Sequence, residues 1–204
     1  MRYGLPIGYI GVSGLFVGTE TQRQEHTQQC KDAIDLAAFL GAPIIRVFCA
    51  TVPEKNADGE DPWPAMIRGY QDVADYAATK GIAVGLQNHP STGDEMLRIR
   101  HETDRKNFTF IMDTGQWIGS PGSSPRGEID SDIDFYHFME QTAPYAMYIR
   151  TKFYKIESGR EEWLDYERIT GILKDISSVS YTHLRAHETL RYLVCSSMLE
   201  KKNG

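Results

Sequence analysis

The sequence predicts an α/β protein built on a parallel sheet, and three observations carry that prediction. Short apolar runs recur, mostly at intervals of about 35 to 40 residues, with helical periodicity between them. Two of those runs, residues 82–86 and 108–112, contain no charge at all, as strands buried on both faces require. Each then ends abruptly in polar side chains, Gln87, Asn88 and His89 after the first and Asp113 after the second. In parallel sheets ligands are held at that carboxyl end, because the loops leaving it vary while the strands stay fixed.

The elements follow in order. Residues 6–12 make a first strand despite their glycines, and a turn-rich stretch with Ser13, Gly14 and Gly18 comes next. From 21 to 40 the period is helical: Ala33, Ala37 and Leu40 share a stripe with Ile34 beside it, and Gly41 is placed to end the helix. Residues 43–48 form the second strand. The polar loop 49–64 is long enough to be either a functional loop or a plain surface one. Met66, Tyr70, Val73 and Ala77 repeat at helical spacing up to Lys80, and the central strand 82–86 follows at once. A short helix near 94–101 leads to strand 108–112. After it come a Gly/Ser/Pro loop over 119–127, a helix near 133–142 and a fifth strand, 146–152, that ends in Arg150 and Lys152. A loop over 157–163 precedes Asp165, a good N-cap for a helix reaching about residue 175.

Bulk properties bound the function. A chain of 204 residues supports one good-sized core, and 41% apolar with 25% charged residues is ordinary globular composition. A net charge of -6 without clustered Lys or Arg argues against nucleic acid. No run has the length of a membrane span or the shape of a secretion signal, so no membrane role is expected. Cys30, Cys49 and Cys195 are too few and scattered for a disulfide scaffold, which suggests a reduced, cytoplasmic protein.

Five consecutive strand–helix units leave two architectures, an open doubly wound sheet or part of an eight-unit barrel. No Gly-x-Gly-x-x-Gly follows any of the strands, so the dinucleotide-binding form of the open sheet loses support. Four motifs then occur in sequence order: Leu-Gly-Ala-Pro-Ile-Ile-Arg-Val-Phe48, Lys-Gly-Ile-Ala-Val-Gly-Leu-Gln-Asn-His89, Phe-Ile-Met-Asp-Thr-Gly-Gln-Trp117, and Lys-Phe-Tyr154 with Leu-Asp-Tyr166. Together they resemble the sugar phosphate isomerase/epimerase group of xylose isomerase-like TIM barrels, relatives of endonuclease IV. The resemblance implies an incomplete (β/α)8 TIM barrel over 1–177, about five βα units matching the third to seventh strands.

The resemblance also implies a divalent metal, Mn, Mg, Co or Zn, at the barrel mouth. There it would polarise a sugar carbonyl while carboxylates move the proton on the adjacent carbon. Asp113 matches a family ligand position. Gln87 stands where Glu is usual and Arg150 where His is usual, and arginine cannot ligate. His89 is a replacement nitrogen ligand or else a substrate or outer contact. The implied metal set is thus Asp113, Gln87 and His89, and the implied catalytic set is Asp113, His89 and Lys152. Gln87, Asn88, Trp117 and Arg150 are implied substrate contacts. For Arg150 and Lys152 the alternatives are an anion of the substrate or pairing with a carboxylate such as Asp113. Trp117 either stacks on a sugar face or packs in the core.

Residues 178–204 depart from the family pattern. The run Val-Ser-Tyr-Thr-His-Leu-Arg-Ala-His-Glu-Thr189 resembles a translated sequencing adapter, so the native sequence is expected to end near Ser177. His183 and His187, with Glu188, imitate a helical metal pair, but the order His-Glu-x-x-His is absent. The expected parent is a sugar or sugar-phosphate isomerase or epimerase working through an enediol on a small-molecule substrate, with the chain alone inactive. The alternative is a metal-free sugar- or polyol-binding relative. A nuclease would need a basic groove and a larger His/Glu cluster, and neither is visible.

Overall fold

The computed structural model describes residues 6–49, 51–56, 58–123, 127, 129–156 and 158–176. The tail 178–204, with His183 and His187, lies outside the described residues, as does Glu157.

Five strands form one sheet: β1 (Ile10–Gly11), β2 (Ile44–Cys49), β3 (Ala83–Asn88), β4 (Phe108–Asp113) and β5 (Ala146–Arg150). They lie side by side in chain order and every neighbouring pair is parallel. β1 and β5 are its two edges, so the sheet is not closed and the barrel is incomplete among the described residues. The crossovers are α1 (Glu20–Leu40), α2 (Pro62–Thr79), α3 (Gly93–Thr103) and α4 (Phe135–Thr142), and α5 (Tyr166–Ile176) follows β5.

Local chemistry sets the helix limits. Thr19 and Gln22 close a capping box at the start of α1, and Gly41 ends that helix at φ 72, a left-handed position that costs a residue without Cβ nothing. Asp61 caps α2 with Pro62 in its first turn, and Thr92 with Glu95 boxes α3. The Asp165 carboxylate accepts the Arg168 N–H at 3.0 Å, the expected cap of α5. The first strand is shorter than the apolar run around it: only Ile10 and Gly11 stand in register with β2, and single backbone bonds from Val12 to Arg46 and from Phe48 to Ser13 continue the contact.

Strand alternation divides the core in two. Ile45, Val47, Val84, Leu86, Phe110, Met112 and Ile149 pack beneath the helices in the large cluster. Ile44, Ile111 and Tyr148 form a small cluster of their own on the opposite face, with Tyr9 and Ala83 against it. Gly85 permits that second cluster: a Cβ there would stand 2.6 Å from Ile111 Cγ1 and 2.8 Å from Ile44 Cδ1. This inner face floors the functional mouth, since Phe48, Gln87, Asp113 and Arg150 follow on the same face toward the carboxyl ends.

Candidate functional site

β3 and β4 each run further than their apolar segments, so Gln87, Asn88 and Asp113 are strand residues rather than loop residues. Strand geometry then sends Gln87 and Asn88 to opposite faces. Asn88 is fully buried: its Nδ2 donates to the Asp113 carbonyl at 2.9 Å and its Oδ1 accepts the Asp113 N–H at 2.8 Å. The side chain thereby continues the β3–β4 ladder by one rung and holds the Asp113 backbone. Trp117 is wholly buried with its ring 5.9 Å from that of Phe138, so it packs in the core.

The inner face carries the charged network. Gln87 Oε1 accepts from Arg150 NH1 at 3.0 Å and, weakly, from Arg46 NH1 at 3.5 Å, while Gln87 Nε2 points to Asp113 Oδ2 at 3.4 Å. Donors on one side and a carboxylate on the other set the amide's orientation. Asp113 Oδ2 also lies 3.5 Å from Arg150 NH1 and 3.8 Å from Lys152 Nζ, and Oδ1 accepts the Gly115 N–H at 3.1 Å. Burial pushes the Asp113 carboxyl above its ordinary value, against the opposing pull of Lys152, the Gly115 N–H, Arg150 and His89. The pairing alternative for Arg150 and Lys152 is therefore realised.

Lys152 lies two residues beyond the end of β5 and is positioned by its backbone. Its N–H donates to Thr114 Oγ1 at 3.0 Å and its carbonyl accepts the Tyr166 hydroxyl at 2.6 Å. Tyr154 locks the same segment to the β4 loop, donating to the Gly115 carbonyl at 2.7 Å. Burial and then the nearby Asp113 charge push the Tyr154 phenol up to about 12, so it stays a donor. His89, just past β3, is exposed and sets its ring 4.5 Å from Phe48. Gln87, His89, Asp113, Arg150 and Lys152 thus converge on one mouth, whereas Asn88 and Trp117 face away from it.

Arg46 is the residue that sequence reasoning missed. It sits in the interior of β2 with its guanidinium 4.0 Å from the Phe48 ring and within reach of Gln87. Its signal was a lone cation inside an otherwise apolar strand, which only a polar mouth on one face can accommodate.

This donor set does not fit a divalent ion. Among the described residues Asp113 is the sole carboxylate of the network, Arg150 and Lys152 already flank its Oδ2, and the Gln87 oxygen is turned to two guanidiniums. A metal at Asp113 would meet two fixed cations, and among the described residues no three His, Cys, Asp or Glu side chains group to hold one.

The sequence matches the xylose isomerase-like TIM barrel family over residues 2–180. Inosose dehydratase of Geobacillus thermodenitrificans strain NG80-2 is 34% identical over 65 residues, which are 30% of this chain and 22% of that protein. Two examples illustrate the solved structures that share the fold. The xylose isomerase domain protein of Planctomyces limnophilus has TM-score 0.65 and 18% identity, covering 95% of this chain and 74% of its own. D-allulose 3-epimerase of Methylomonas sp., in complex with D-allulose, has TM-score 0.65 and 19% identity over 91% and 64%. No described helix is long and apolar enough to cross a membrane. The chain belongs to the xylose isomerase-like TIM barrel family.

Proposed function

We propose that the chain provides the site of a sugar or sugar-phosphate isomerase or epimerase that moves a proton through an enediol. The observation that carries this reading is the convergence of His89, Asp113, Arg150 and Lys152 at the carboxyl ends of three adjacent parallel strands. His89, the exposed group, takes the proton from the carbon beside the carbonyl. The C–H electron pair forms the C=C bond, and the charge that develops on the carbonyl oxygen is met by the Lys152 ammonium. Lys152 gives its proton to the former carbonyl oxygen and takes one from the neighbouring hydroxyl as His89 returns its proton to the former carbonyl carbon, which gives isomerisation; in epimerisation the new proton reaches the first carbon from solvent on the face opposite His89. Asp113 is fully buried, so its role is to hold Arg150 and Lys152 in position. A sugar substrate is supported by the Methylomonas sp. epimerase sharing the fold. A reducing, cytoplasmic setting is supported by the buried free thiol of Cys30.

The test is deuterium incorporation at the carbons beside the carbonyl of candidate ketoses and ketose phosphates in heavy water, by a protein that holds this segment within a complete barrel, followed by NMR. Incorporation by the wild type that falls by about 100-fold or more in His89→Gln and Lys152→Met supports the reading. Unchanged incorporation in both variants overturns it. One observation favours a second reading, a relative that only binds a polyol: both Asp113 oxygens are engaged by its own neighbours. Saturable ligand binding with no incorporation in the wild type would select it.

A further inference from the structure

Within the inner face, Asp113 is the one carboxylate among the described residues set against Arg46, Arg150 and Lys152, which leaves a surplus of two positive charges, and Arg46 and Arg150 converge on the neutral oxygen of Gln87. No carboxylate lies within ion-pair distance of Arg46 among the described residues, and its buried Nε–H has no partner there. Two guanidiniums approaching one uncharged acceptor repel each other, and in a partly dehydrated cleft that repulsion is poorly screened. The surroundings nevertheless hold Arg46 in place. Phe48 lies beneath its guanidinium, and Gly11 across the sheet leaves it room, since a Cβ there would stand 2.8 Å from Arg46 NH2.

We propose that Arg46 and Arg150, bridged by Gln87, form a seat for the dianionic phosphate of a phosphorylated substrate. Two planar forks match the tetrahedral oxygens of phosphate, whose charge of about −1.5 to −2 at neutral pH equals the surplus of two. A carboxylate would leave one charge unmet. The seat deepens the isomerase reading by naming a sugar phosphate as substrate, and it rests on that reading for the sugar part.

The test is calorimetric titration of inorganic phosphate into the full chain at low ionic strength, with D-gluconate as the carboxylate comparator. Saturable phosphate binding at one site is expected, tighter than gluconate and weakened about tenfold or more in Arg46→Gln and in Gln87→Glu, which places a carboxylate between the two forks. A wild-type measurement runs beside it and needs no variant to fold: phosphate should protect Arg46 and Arg150 from phenylglyoxal, read by mass spectrometry. Absence of saturable phosphate binding, tighter gluconate binding, unchanged affinity in folded variants, or labelling of both arginines regardless of phosphate would each overturn the seat. Phosphate binding without deuterium incorporation on any sugar phosphate would sink the isomerase reading and leave the seat standing. Incorporation on a neutral sugar with no phosphate bound would do the reverse.

Discussion

Arg150 stands directly opposite Asp113 in the β4–β5 ladder, and one extra residue puts it there. Phe110 pairs with Ala146, but Ile111 pairs with Tyr148, so the register slips by one at Met147. Without that bulge Asp113 would face Ile149, and the side chains of β5 would exchange faces. The bulge sends Ile149 under the helices and turns Tyr148 and Arg150 to the mouth. The Asp113 carboxylate owes its Arg150 partner to this irregularity.

Asn88 is expected to be a determinant of stability rather than of ligand affinity. Replacing it with Ala strands the buried N–H and C=O of Asp113, at a cost of about 3 kcal/mol. Urea denaturation should show this loss, and Asn88→Asp, which sets a buried charge against the Asp113 carbonyl oxygen, should lose at least as much at neutral pH. A loss below about 0.5 kcal/mol for the Ala variant would contradict the staple.

Asp113 should make stability fall as pH rises. Its folded-state value is raised, so the folded chain binds the proton more tightly than the unfolded chain does. Its contribution is therefore fully present below the ordinary carboxylate value and is lost as pH climbs through the folded one. Paired urea melts of the wild type and Asp113→Asn from about pH 4 to about pH 7 isolate this group. The wild type should lose stability relative to the variant across that range, and a constant or opposite difference would refute the assignment.

Gly85→Ala should overpack the small inner cluster. The new methyl would meet Ile111 and Ile44 at distances neither can accept without moving, so about 1–3 kcal/mol of stability should be lost. The compensating change Ile111→Val should recover part of it. An undiminished melting temperature in the single variant would show that the inner face is looser than its packing implies.

Trp117→Phe tests whether this ring belongs to the core or to the site. Its Nε1 has no partner among the described residues, so the substitution removes ring volume but no hydrogen bond. The expected cost is about 1–2 kcal/mol in denaturation with no change in phosphate affinity. A fall in affinity at unchanged stability would return the residue to the mouth.

The strand–helix rhythm, the Gly41 stop and the Asp165 cap were all legible in the sequence, because each depends on local periodicity or on a single side chain near its own backbone. So was the meeting of Gln87, Asp113, Arg150 and Lys152, which follows once parallel strands align their carboxyl ends. Three things were decided only by the tertiary structure. The two faces of β3 separate Gln87 from Asn88, the bulge at Met147 sets which residue of β5 meets Asp113, and Arg46 joins the mouth from a neighbouring strand. Register and cross-strand approach depend on residues distant in the chain. Local pattern can therefore name the polar groups of such a mouth, but only packing decides whether cations or carboxylates surround the shared centre, and here cations do.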